Sequence, residues 1–218
     1  TPENSVTRRD FIAGSAFAAT SFYIMPSRLL GSQAPGNKLN IAGIGVGGMG
    51  GSNLRACETE NIVALCDVDS SYAADTLKRY PKAQIYKDFR VMLEQMDKEI
   101  DAVIIGTPDH THAVVAMAAI KLGKHVYCAK PMTRTIYESR EVTRAAREAK
   151  VATQMSVQSC ASESACAVTE LIQSGALGPV REVHVWTDRP VWPQGLYRPI
   201  ETPPVPPNLD WDVWLGPA

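Results

Sequence analysis

The residues best suited to chemistry begin with glycines at a spacing that fits phosphate. The stretch Ile41–Gly50, IAGIGVGGMG, holds G-x-G-x-x-G in two registers, Gly43/Gly45/Gly48 and Gly45/Gly47/Gly50. The second is preferred, because it leaves a fuller apolar strand ahead of the turn. In such a turn the first glycine permits a tight reversal and the second lets backbone approach a pyrophosphate. The third lets the next helix pack on the sheet. That helix offers free N–H groups and a partial positive charge to the phosphates; Met49, within the glycine-rich turn, is counted with the cofactor-binding candidates. An acid is expected about 20 residues on, closing the following strand. Asp67, in CDVD, stands there. Its carboxylate can accept two hydrogen bonds from an adenosine ribose and repels a 2′-phosphate, so NAD is favoured over NADP.

Two further strand ends carry reactive types. TPDHTH (Thr107–His112) follows the apolar run Asp101–Gly106. Thr107 and Pro108 are expected to form the floor under the nicotinamide half, with His110 capping the following helix or touching ribose. The H-x-H pair lacks further ligands at workable spacing, so no metal is assigned. HVYCAKPMT (His125–Thr133) is an apolar run that ends in a cation and a ring that locks φ. Lys130 is thereby set at a fixed place on a strand end.

These sites need elements to hold them. Apolar runs at Lys38–Ile44, Asn61–Cys66, Ala83–Tyr86, Asp101–Gly106, Val126–Cys128 and Val151–Met155 read as strands. Between them, helices are expected near Ser52–Cys57, Tyr72–Arg79, Phe89–Met96, Ala113–Leu122 (closed by Gly123) and Thr135–Lys150. Bounded strands alternating with helices argue for a parallel sheet covered on both faces. The fold class is therefore α/β, a doubly wound Rossmann domain whose working edge lies at the carboxyl ends of the strands.

Near residue 160 the texture changes. Ser162–Ser174 reads as a helix closed by Gly175, and Arg181–Asp188 alternates like a half-exposed antiparallel strand. The Pro- and Trp-rich stretch that follows, through Trp214, reads as an extended surface excursion. Its Trp192, Tyr197 and Trp211 are expected to stack on a sugar or, in preference, to pack across a dimer interface. The domain reading is 1–37 signal and linker, 38–158 nucleotide-binding domain, and 159–218 the truncated start of a second α/β domain. At the other end, TRRDFI (Thr7–Ile12) before a short apolar run resembles a twin-arginine export signal, which places the protein in the periplasm without a stable membrane span. The sequence begins with Thr1 and stops after a stretch that reads as mid-protein, so a fragment is expected.

Bulk properties exclude little but exclude it clearly. A net charge of −1 over 218 residues gives no footprint for nucleic acid. The five cysteines, Cys57, Cys66, Cys128, Cys160 and Cys166, show neither C-x-x-C nor zinc spacing. They read as small hydrophobes, and the odd count argues against a disulfide scaffold.

With GIGVGGMG, CDVD, TPDHTH and the strand-end KP in this order, the sequence resembles the Gfo/Idh/MocA oxidoreductases from about Lys38 onward. WTDRPVWPQG and DWDVWLGPA resemble an exported subgroup. The resemblance implies NAD(P) as cofactor, a sugar-like substrate and a homo-oligomer. It also implies that Lys130 belongs to an E-K-P motif, beside the nicotinamide and the reacting carbon, often with a cis bond before the proline. There the ammonium can hydrogen-bond a substrate hydroxyl, stabilise an alkoxide or pass a proton. This sequence departs from the motif at Ala129, where the acid should stand. It departs again at Ser156–Val157 and Ser159–Cys160, where related exported proteins carry Gly-Asn and Gly-His; Gln158 is kept. The full set of cofactor-binding candidates is Gly45, Gly47, Met49, Gly50, Asp67, Thr107, Pro108, His110, Ala129 and Gln158, with Lys130 the catalytic candidate. Three readings follow: an NAD-dependent sugar oxidoreductase, a glycosidase working by transient oxidation, or a catalytically impaired dinucleotide-binding protein.

Overall fold

Continuous burial along the inner strands places core on both faces of one sheet. In a computed structural model, which describes residues 37–188 and 194–217, six strands form one sheet in the order β3-β2-β1-β4-β5-β6. They are β1 Asn40–Ile44, β2 Asn61–Cys66, β3 Gln84–Tyr86, β4 Ala102–Ile105, β5 His125–Cys128 and β6 Thr153–Met155. Every neighbouring pair is parallel. The arginine pair Arg8–Arg9, its apolar run and Trp192 lie outside the described residues.

Successive side chains on a strand face opposite ways, and the two cores follow that parity. Ala42, Ile44, Ala64, Cys66, Val103 and Ile105 pack one face with Met92, Val115 and Val142 from the helices. Ile41, Leu65 and Ile104 pack the other with Leu54 and Ala73. The covering helices are α1 Gly48–Arg55, α2 Ala74–Arg79, α3 Phe89–Gln95, α4 His112–Lys121 and α5 Ile136–Ala149. Helix α4 is apolar nearly all round, as a helix between sheet and neighbours must be. Helix α5 has one apolar stripe and starts on a capping box. Thr135 Oγ1 accepts the Glu138 N–H while the Glu138 carboxylate accepts the Thr135 N–H.

Three expectations are corrected. Helix α1 starts four residues earlier than its sequence suggested, because the glycine turn feeds directly into it with Gly47 as N-cap. Arg181–Asp188 has no regular secondary structure and belongs to no ladder among the described residues; Val185 is 90% and Trp186 84% exposed. A strand needs a neighbour for its N–H and C=O groups, and alternation alone does not supply one. Beyond the helix α6, Glu163–Gln173, the Pro-rich stretch does not stay irregular. Its end folds into α7, Trp211–Leu215, with Asp210 accepting the Val213 N–H as N-cap. Among the described residues no helix is long and apolar enough to cross a membrane.

Candidate nucleotide-binding and active site

The strand order reverses between β1 and β4, and the carboxyl ends of those two strands open a cleft. Its base is made of glycine. Gly45 leaves β1 at φ +72, a conformation that L side chains rarely adopt. A Cβ there would meet the Thr107 backbone nitrogen at 2.5 Å. A Cβ on Gly50 would collide with the Gly45 carbonyl oxygen, and one on Gly106 would meet the Gly50 Cα at 2.5 Å. Gly45, Gly50 and Gly106 thus lock turn, helix and β4 end together. Gly43 lies inside β1, so the second glycine register is the one the backbone uses. Gly106 escaped sequence reading because it belongs to a different strand.

Above the turn sits Tyr72. A Cβ on Gly47 would strike its ring, so the glycine makes room for an aromatic in this structure. Met49 is on the first turn of α1 and exposed.

Asp67 is oriented by backbone. One oxygen accepts the Val46 N–H at 2.8 Å and the Gly47 N–H at 3.2 Å; the other accepts the Asp69 N–H at 2.9 Å. Three of its roughly four acceptor positions are therefore filled. The two-bond hold on a ribose expected from sequence requires the longest of these, to Gly47, to be released.

The cleft has a volume of about 340 Å³ and runs from Gly45 past Asp67 and Thr107 to Trp211 and Trp214. Thr107 lines the cleft, and its Oγ1 is buried without a hydrogen-bond partner among the described residues. A buried hydroxyl left so costs on the order of 1–3 kcal/mol, and a ligand hydroxyl or phosphate oxygen would satisfy it. The glycine base, the one open acceptor position of Asp67 and this orphaned hydroxyl together fit a dinucleotide. Pro108 is exposed at the rim. His110, expected to cap α4 or touch ribose, instead donates from Nε2 to the Trp214 carbonyl at 2.8 Å and meets that indole edge-on.

Across β4, at the end of β5, stand Ala129 and Lys130. At the usual strand spacing this is about 10 Å from the glycine turn. The Lys130–Pro131 peptide bond is cis. The expected confinement of the lysine is not found: Lys130 is exposed, and no described residue pairs with it. The loop behind it is fixed by His112, which the sequence offered only as half of an H-x-H pair. His112 is 1% exposed, with Nε2 at 2.6 Å from the Thr107 carbonyl and Nδ1 at 2.6 Å from the Pro131 carbonyl. Carbonyls only accept, so the imidazole satisfies both when it carries both protons. Its signal was the first position of an apolar helix, where a buried histidine needs partners from neighbouring strand ends. Ala129 is half-buried and brings only a methyl group; its N–H donates to the Ile105 carbonyl at 2.8 Å. Gln158 opens a 3₁₀ turn, and its side chain falls outside the described residues.

The cysteines at the sheet's edge are packing groups. Burial pushes the Cys66 thiol well up, with Asp67 and Asp88 adding to it, and raises Cys128 to about 12, with a smaller push from Asp109. Among the described residues no group of three or more His, Cys, Asp or Glu side chains could hold a metal ion.

Comparison with known proteins agrees with this geometry. Residues 39–157 match the GFO_IDH_MocA model, described as an oxidoreductase family with an NAD-binding Rossmann fold. Inositol 2-dehydrogenase of Salmonella paratyphi B is 29% identical over 147 residues, covering 65% of this chain and 43% of that protein. Levoglucosan dehydrogenase of Pseudarthrobacter phenanthrenivorans is 28% identical over 116 residues, 53% of this chain and 29% of that one. An NAD binding oxidoreductase from Klebsiella pneumoniae superposes with a TM-score of 0.56 at 32% identity, over 65% of this chain and 40% of that one. The chain thus spans less than half the length of these relatives.

Proposed function

Because this chain belongs to the Gfo/Idh/MocA oxidoreductase family, we propose that it is the cofactor-binding part of an NAD-dependent oxidoreductase acting on a sugar or cyclic polyol. The observation that carries this is the cleft itself: a glycine-lined base, with the Asp67 carboxylate and the orphaned Thr107 hydroxyl among the groups along it. NAD, when bound, supplies the hydride acceptor or donor. Gly45, Gly47 and Gly50 let backbone approach the phosphates, and Asp67 receives the adenosine ribose. Thr107 Oγ1 donates to or accepts from the ligand. Lys130 Nζ, about two strands across, holds the proton of the substrate hydroxyl and steadies the oxygen as negative charge develops there. His112 fixes the loop on which that lysine stands. The substrate class rests on the relatives, whose names specify inositol and levoglucosan.

Ala129 and the exposed Lys130 favour a second reading, a dinucleotide-binding protein weak in hydride transfer. Binding and turnover separate the two. The full-length protein should bind NADH and pass hydride to NAD from a polyol panel, with Lys130→Met losing turnover of about a hundredfold but keeping NADH affinity. Tight NADH binding with no turnover on any polyol, and none gained on Ala129→Glu, selects the second reading. No binding of either dinucleotide sinks both. Asp67→Ser should narrow the preference for NAD over NADP in the same titration. The segment Arg8–Arg9 and its apolar run we take as a twin-arginine export signal, checked by loss of periplasmic location on Arg8→Lys with Arg9→Lys.

A further inference from the structure

We propose that residues 208–215 form a clasp whose Trp211 supplies one wall of the adenine site; the inference rests on the dinucleotide reading above. The segment is remote in sequence from every element around the cleft, yet four contacts tie it to the ends of β2 and β4, three of them to β2. Leu209 forms an antiparallel bridge with Asp69. The Asp210 N–H donates to the Val68 carbonyl at 3.0 Å. Asn208 Nδ2 donates to Asp69 Oδ1 at 2.8 Å. From the other side, His110 donates to the Trp214 carbonyl. These ties reach both strand ends that border the cleft, β2 and β4.

What the clasp presents is aromatic and flat. Trp211 and Trp214 stack with centroids 5.0 Å apart and planes 12° from parallel, and both line the cleft. Trp211 remains 42% exposed, although its indole is already packed on one side by Trp214. An apolar face that borders a cleft, backed by a second indole, is a platform for another flat ring.

Position selects which ring. The cleft is walled by the β1, β2 and β4 ends and includes Asp67 and Val68, while Lys130 and Ala129 are not among its lining residues. The ring that belongs beside the acid after β2 is the base attached to the ribose it receives, namely adenine. A nicotinamide would have to lie toward β5, beyond the reach of α7. Val68 and Leu209 supply apolar surface nearby, which suits a purine and not a sugar.

The test uses the purified chain titrated with NADH, ADP-ribose and AMP. Base–aromatic stacking removed by alanine weakens binding roughly tenfold. Trp211→Ala should therefore lose about tenfold in affinity for all three ligands, by a similar factor, because all three carry adenine. Trp211→Phe should recover most of it. Asn208→Ala, which loosens the clasp without touching the ring, should give a smaller loss of the same pattern. Unchanged affinity in Trp211→Ala overturns the proposal. So does a loss for NADH with none for AMP, which would move the indole to the other half of the cofactor. If Trp211→Phe binds as poorly as Trp211→Ala while both melt like the parent chain, stacking is not the cause and the proposal also falls. A parent chain that binds none of the three removes the dinucleotide reading itself.

Discussion

Gly50 and Gly123 are both glycines that resist replacement, for different physical reasons, and the difference is measurable. At Gly50 the obstacle is space, since a Cβ would run into the Gly45 carbonyl oxygen. Helix α1 would have to lift off the sheet, taking the turn's N–H groups away from where a pyrophosphate lies. Gly123 has φ +72 and nothing within 4 Å of an added Cβ, so only backbone conformation opposes a side chain there. Gly50→Ala should cost roughly 1–3 kcal/mol of stability by overpacking and abolish NADH binding. Gly123→Ala should cost about 1 kcal/mol and leave NADH affinity unchanged. Equal NADH affinity in the two variants, read by fluorescence titration beside urea denaturation, would show that the turn is not the phosphate cradle. Asp67 and Gly45 were legible in the sequence because the chemistry fixes both type and spacing. His112, Tyr72 and Gly106 were not, since each owes its role to a neighbour brought in by the fold.

Elements divide along the same line. The inner strands β1, β2, β4 and β5 were readable because a sheet covered on both faces forces apolar runs, and turn residues bound each run. Helix α5 was readable because its apolar stripe and its Thr135–Glu138 box lie in one stretch of chain. Helix α7 was not: five residues, two of them tryptophan, carry no period, and what holds them is Asp210 as cap and β2 as neighbour. The segment Arg181–Asp188 erred the opposite way, because alternation was present and a ladder was not. Local signals can be tested locally. Thr135→Ala removes the side-chain acceptor for the Glu138 N–H and should lower stability by about 1 kcal/mol in denaturant titration. Thr135→Ser, which keeps the acceptor, should restore most of it. A Thr135→Ala chain as stable as its parent would mean that packing against α4 alone holds α5.

Across the whole molecule, the clasp makes the last residues of the chain answer to the charge on one carboxylate. Asp69 is held below the ordinary carboxylate range by the Tyr72 N–H, then by the Asn208 amide and the Ser71 N–H. Its pKa in the folded chain is therefore lower than in the unfolded one. Such a group contributes stability in full above its unfolded value, about 3.9; the contribution is lost as pH falls through the folded value. The group is only partly buried, so the effect on global stability is screened and small. The local effect is not, because protonation weakens the acceptor that Asn208 and the 71–72 turn share. Exchange of the Asp210 amide hydrogen, once corrected for intrinsic rate, should be flat from neutral pH down to about 4 and accelerate below it. In Asp69→Asn the protection should already be reduced at neutral pH, with no further change on acidification. Protection that fades between pH 7 and 5 instead would show that Asp69 is not the group that sets the latch.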